Sequence, residues 1–350
     1  MYGTIWALLP PVVAIVLALI TKEVYSSLFI GIVTGALIYT GFSPIATLDT
    51  VINEGFINSV ADAWNIGIFM FLILLGTMVA LMNKAGGSAA FGEWAKKHVK
   101  TRAGALLSTF LLGVLIFVDD YFNCLTVGSV MMPVTDGHKI SRAKLAYIID
   151  ATAAPVCIIA PVSSWAAAVT SSLPEDSAID GFALFLETIP LNLYAWLTLI
   201  FMIILIASGH DFSRMAKYEK QSGGTLVIPA EYAEDENTAP VGNGKIIDLV
   251  LPLLVLIGGC VFGMLYTGGI LEGKSVADAF ADCESARGLV IGSFIALVFT
   301  FILYIPRKVL SFNAFCSCFV EGFKQMTSAI MILSLAWTLS GIVGKDYLNI

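Results

Sequence analysis

Long apolar runs constrain this chain more than any other feature. Stretches of near twenty predominantly apolar residues fall at roughly 5–21, 25–42, 64–83, 145–171, 186–208, 246–268, 288–305 and 326–344. An α-helix rises about 1.5 Å per residue, so about twenty residues cross a hydrocarbon core of about 30 Å. The runs predict an all-α integral membrane protein with about eight transmembrane helices. Composition agrees, with 58% hydrophobic and only 13% charged residues, against about 25% charged in soluble domains. The first run opens at Ile5 without a basic leader or a small-residue cleavage site, so it reads as a spanning helix.

No basic tract points to nucleic acid, and the lipid bilayer is the partner that composition demands. The six cysteines lack zinc-like spacing and mostly sit in apolar runs, and the three histidines fall in polar connections. Neither a metal centre nor a cofactor is expected.

Residues 104–135 break the pattern. Two short apolar arms, Gly104–Val118 and Leu125–Val134, flank Asp119-Asp120-Tyr121-Phe122-Asn123. Each arm spans roughly 15–22 Å, too short to cross. Lys96, Lys97, Lys100 and Arg102 precede the stretch, and Lys139, Arg142 and Lys144 follow it. Basic connections belong to the cytoplasmic side. A segment basic at both ends therefore enters and leaves on one side, as a re-entrant hairpin with its tip deep in the membrane. Alternation then puts 16 of the 19 basic residues inside, leaves Lys274, Arg287 and Lys345 outside, and places the N-terminus outside.

Short matches suggest an internal repeat. Leu9-Pro10 pairs with Leu251-Pro252, Leu28-Phe29-Ile30-Gly31 with Leu289-Val290-Ile291-Gly292, and Glu54-Gly55-Phe56 with Glu321-Gly322-Phe323. Five spans in the first copy make the second enter from the opposite side. Inverted repeats of this kind belong to secondary transporters, with the ion site near the midplane. The expected organisation is a first repeat over 1–208, a mobile cytoplasmic linker over 209–245, and an incomplete second repeat of three spans over 246–350. This inverted-repeat transporter fold with a truncated second repeat reads as the front two-thirds of a longer protein or as a truncated reading frame.

Asp119 and Asp120 are the sharpest chemical signal. A carboxylate in hydrocarbon costs at least about 2.5–3.5 kcal/mol, so a pair needs a cation, a shared proton or trapped water. Asn123 and Thr126 add neutral oxygens, which suits a hard ion such as Na+, with Asp119, Asp120 and Asn123 as its first candidates. Alternatively one aspartate caps the second arm. Pro155 and Pro161 predict a broken span at 145–171, where Ser163 and Ser164 either supply ligands or bond back to their own helix. Asp150 and Thr152 lie one to two turns inside that span, Asp150 as a proton-pathway residue or an interfacial charge. Segments 89–100 and 308–323 read as amphipathic surface helices.

The run Phe117-Val118-Asp119-Asp120-Tyr121-Phe122-Asn123-Cys124-Leu125-Thr126-Val127-Gly128 resembles the signature of NhaC-type sodium/proton antiporters. So do Asp150-Ala151-Thr152-Ala153-Ala154-Pro155-Val156-Cys157, Ala160-Pro161-Val162-Ser163-Ser164-Trp165 and Leu335-Ala336-Trp337-Thr338-Leu339-Ser340. The resemblance implies the ion transporter superfamily, paired re-entrant hairpins, homodimers and an elevator-like movement. It also admits malate/lactate exchange coupled to sodium and protons. The resulting expectation is a plasma-membrane antiporter in which Na+ and H+ compete for one Asp-containing site. An organic-anion exchanger is the nearest rival, although no Lys or Arg lies inside a span. An intramembrane aspartyl enzyme is remoter, since such aspartates normally come from two separate helices. No nucleotide-binding loop is visible.

Overall fold

Proline, glycine and capping side chains set where the apolar runs become helices. The computed structural model describes residues 5–117, 120–160, 163, 165, 181–222, 244–344 and 348. A 3-10 turn leads into α1 (Leu9–Thr21), which carries prolines in its first turn, where the missing N–H costs nothing. Glu23 accepts from the Tyr25 and Ser26 amides and so caps α2 (Val24–Tyr39). Then come α3 (Pro44–Asp49), a wide helical turn at Thr50–Ile57, α4 (Asn58–Ala61), α5 (Ala63–Lys84) and α6 (Gly87–His98). The central elements are α7 (Arg102–Leu115), α8 (Asp120–Gly137) and α9 (Arg142–Ile159). They are followed by α10 (Gly181–Thr188), α11 (Leu193–Ser208), α12 (Ser213–Ser222), α13 (Ile247–Thr267), α14 (Val276–Ala281), α15 (Ser285–Tyr304) and α16 (Phe312–Val343).

Five described helical segments are long and apolar enough to cross a membrane: Ala63–Lys84, Leu193–Lys220, Ile247–Thr267, Ser285–Tyr304 and Phe312–Val343. Trp6–Thr21, Val24–Tyr39 and Arg102–Leu115 are shorter apolar helices. Several boundaries differ from expectation. The run 186–208 is not one helix, because Pro190 withholds a donor and Asn192 caps α11 through the Ala195 amide at 3.1 Å. The surface helix expected at 308–323 is instead the first part of α16, which continues for 32 residues with no proline to stop it. Within the linker expected to be a mobile loop, Ser213–Ser222 is helical.

The chain divides into two units. One comprises Met1–Leu72 with Lys324–Ile350, and the other Ile73–Phe323. In the first, Ala14, Ile32, Ala36, Val51, Leu335, Leu339 and Ile342 form the core. Trp337 meets Trp64 edge-on at 6.1 Å and Phe69 at 5.1 Å. A side chain at Gly31 would touch Ala14 at 2.8 Å, so α1 and α2 close over a glycine.

In the second unit, α13 and α15 pair through Gly259-xxx-Gly263 and Gly288-xxx-Gly292. A Cβ at Gly259 would lie 2.8 Å from the Gly292 carbonyl oxygen, and one at Gly288 would lie 2.8 Å from the Met264 nitrogen. Lipid tails are as apolar as leucine, so packing this close is what holds membrane helices together. Gly292→Ala would set its methyl on the Cys260 backbone and force the helices apart. Overpacking of this kind costs about 1–3 kcal/mol. Thermal unfolding in detergent should show a clear fall for Gly292→Ala and none for Gly258→Ala, whose Cβ meets nothing within 4 Å. Equal melting of both variants would refute this packing.

One end of this unit gathers charge. Buried Asp248 pairs with Arg307 at 2.5 Å and accepts the Lys245 amide at 2.8 Å. Lys84 pairs with Glu321 at 2.5 Å and donates to Ser317 at 3.0 Å. A Cβ at Gly87 would lie 3.0 Å from the Asp248 carbonyl carbon, which joins these two clusters. Lys84, Lys245 and Arg307, three of the basic residues expected on one side, are therefore brought together through Asp248, Gly87 and Glu321.

Candidate functional site

Local sequence explains the hairpin. Thr101 caps α7 by accepting the Gly104 amide at 3.0 Å. The helix stops at Leu115, where Ile116 leaves the helical region with φ −95° and ψ 70°. Asp120 occupies the first turn of α8, where free N–H groups and the helix dipole favour a carboxylate. The second arm thus begins at Asp120 and not at Leu125, and Asp120 and Asn123 belong to helix, not to a connecting loop. Pro133 lies inside α8.

The two outer ends of the hairpin meet. The His138 ring, just beyond α8, reaches the Val134 carbonyl through Nδ1 and the Val99 carbonyl through Nε2, both at 2.9 Å. Glu219 of α12 pairs with Arg102 and accepts the Ser141 amide at 3.2 Å. Lys144 pairs with Asp211, and Arg142 with Asp136 at 3.4 Å. Basic residues before α7 and after α8 therefore share one charged foot, and the α7–α8 tip lies at the far end.

Near the tip, Asn123 is fully buried. Its Nδ2 donates to the carbonyls of Gly113 and Ile116, each at 2.7 Å. Carbonyl oxygens only accept, so both amide hydrogens face α7 and Oδ1 is the free atom. Two of the last carbonyls of the first arm are thus held by Asn123. Among the described residues, Asn123 Oδ1 and Thr126 Oγ1 are buried without a hydrogen-bond partner. Thr126 is also fully buried and sits three residues on, along the same helix face. Leaving such an oxygen unpartnered costs about 1–3 kcal/mol, so two together on one face call for a partner, whether ordered water or a bound ion.

Thr152 reaches this place from α9. A Cβ at Gly113 would lie 2.9 Å from Thr152 Cγ2 and 3.6 Å from Asn123 Oδ1. The Thr152 hydroxyl itself donates to the Ile148 carbonyl at 2.6 Å. Asp150 is not brought in. It lies about 200° around α9 from Thr152, exposed, in a groove of about 590 Å³ with Tyr147, Tyr194 and Thr198. Ser163 is buried just past the end of α9, its hydroxyl 2.7 Å from the Cys157 carbonyl and 3.1 Å from that of Ala160. It closes the broken helix in the manner of a cap. Asp119 and Ser164 lie outside the described residues. Gly113 also belongs to this place, and its sequence gives no sign of it, because a glycine in an apolar arm carries no signal until its neighbours are known.

The model of the Na+/H+ antiporter family matches residues 156–348, from the end of α9 through α16. An uncharacterized protein of Haemophilus influenzae is 35% identical over 365 residues, covering 98% of this chain and 67% of that protein. No solved structure matches.

Proposed function

Because the chain belongs to the Na+/H+ antiporter family, we propose that it exchanges Na+ for H+ across the cell membrane at the tip of the α7–α8 hairpin. Membership makes it a cation/proton antiporter of the multi-pass membrane class, a transporter and not an enzyme. The observation that carries the site is the pair of buried, unpartnered oxygens, Asn123 Oδ1 and Thr126 Oγ1. Hard oxygens suit a hard cation. Asn123 cannot turn its oxygen away without setting it against two carbonyls, so the ligand is preorganised.

Two neutral oxygens bind Na+ but do not couple it to protons. Coupling falls to Asp119 and Asp120, which bind Na+ when ionised and lose it when protonated. In this reading Thr152 stands beside the ion site across Gly113, Ser163 and Ser164 are the serines that the broken span offers the ion, and Asp150 belongs to a separate proton path. The charged foot faces the cytoplasm, the N-terminus faces outside, and two copies form the working dimer. Support for this orientation is that basic residues from separate connections gather in shared ion-pair clusters, Arg102 and Lys144 around Glu219 and Asp211, and Lys84 and Arg307 around Glu321 and Asp248. An organic anion would need a free cation facing it, and buried Lys144 is committed to Asp211.

The test uses inside-out vesicles carrying the protein and a preset pH gradient. Added Na+ should discharge the gradient, and Asp119→Asn or Asp120→Asn should abolish the discharge. Unchanged exchange in both variants would remove the carboxylates from the mechanism.

A further inference from the structure

We propose that Gly113 sets the size of the cation this site accepts, an inference that rests on the reading of Asn123 as a ligand. Gly113 stands where three helices converge. Its carbonyl holds the Asn123 amide at 2.7 Å. Its missing side chain would point between Thr152 Cγ2, at 2.9 Å, and Asn123 Oδ1, at 3.6 Å. The first distance lets α9 close against α7. The second keeps the space beside the unpartnered oxygen open. A methyl at 3.6 Å rests in van der Waals contact with Oδ1 and occupies part of the hemisphere through which a cation must approach it. The amide cannot swing clear, because its nitrogen is held by two carbonyls. The contraction therefore falls on the cation.

Gly113→Ala should favour Li+, the smaller ion, over Na+, and K+ least of all. One methyl in a close-fitting pocket discriminates by roughly 10–200-fold, so the ratio of KM for Na+ to KM for Li+ should rise at least about tenfold. The same methyl crowds Thr152, so that variant alone is at risk of poor folding. Gly113→Ala combined with Thr152→Ser removes Cγ2, the atom it would strike, and retains the methyl beside Oδ1. Thr152→Ser alone enlarges the same space and should lower the ratio below that of the unaltered protein.

The measurement is proton movement in inside-out vesicles titrated separately with Na+ and Li+. A raised ratio in the double variant and a lowered ratio in Thr152→Ser support the assignment. A ratio unchanged in both, with transport of the two ions falling or recovering together, overturns it and leaves Gly113 as packing alone. Asn123→Ala tests the underlying reading separately. If that variant keeps its KM for Na+, the ligand assignment fails. If it is inactive while the ratios stay fixed, only the Gly113 assignment fails.

Discussion

Asn123→Asp should abolish Na+-driven proton movement and lower the melting temperature together. The substitution keeps size and shape but replaces two donors with acceptors. Both Gly113 and Ile116 carbonyls would then face a carboxylate oxygen in place of an N–H. Each buried group left unmatched costs about 1–3 kcal/mol, and more if the carboxylate is charged. The hairpin tip would open, and Oδ1 would lose its orientation. Thr126→Val gives the contrasting result. Thr126 Oγ1 has no hydrogen-bond partner, so removing it forfeits no bond, and the melting temperature should hold or rise. If the oxygen ligates Na+, KM for Na+ should nonetheless increase at least about tenfold, as for a lost ligand worth about 1.4 kcal/mol. Titrating discharge against Na+ in vesicles, beside melting curves in detergent, separates the two effects. Thr126→Val with normal KM would strike Thr126 from the site, and Asn123→Asp with normal exchange would strike the hairpin tip.

Much of this arrangement was legible in residue types. Two acidic residues between short apolar arms, with lysine and arginine on both flanks, implied a segment that returns to its starting side, and His138 against Val99 is that return. Proline at 155 and 161 implied a broken helix, and α9 ends at Ile159. What composition cannot supply is direction around a helix. Asp150 and Thr152 are two residues apart, yet one faces a groove and the other the hairpin. The donor role of Asn123 depends on carbonyls seven and ten residues back, which only the folded turn brings near. The α12 segment is largely polar. Glu219 ties it to Arg102, 117 residues away, and to the Ser141 amide, ties that no local pattern reveals.

Asp211→Ala should be among the most destabilising changes at the hairpin foot. The Lys144 side chain is only 2% exposed, and Asp211, its partner, is 11% exposed. Lys144 also sits in the first turn of α9, where the helix dipole already disfavours a cation. Removing the carboxylate strands an ammonium in low dielectric, a change that costs about 3–5 kcal/mol in buried pairs. Arg102 sits 4.0 Å from the same carboxylate and gives Lys144 no relief, being cationic itself. Replacing both partners, as Lys144→Met with Asp211→Leu, should recover most of the loss, because no charge is then left behind. Exposed Glu284, 65% accessible and facing Arg287, is the control, and its alanine variant should shift stability by less than about 1 kcal/mol. Salt sharpens the distinction, since screening reaches the exposed pair and scarcely the buried one. If Asp211→Ala melts like Glu284→Ala, Lys144 has another way to reach water, and the foot of the hairpin is wetter than its burial implies. If it melts far lower and the double replacement recovers, the pair ties the start of the linker to α9, the helix that carries Thr152. Movement of that linker would then strain the ion site through Lys144.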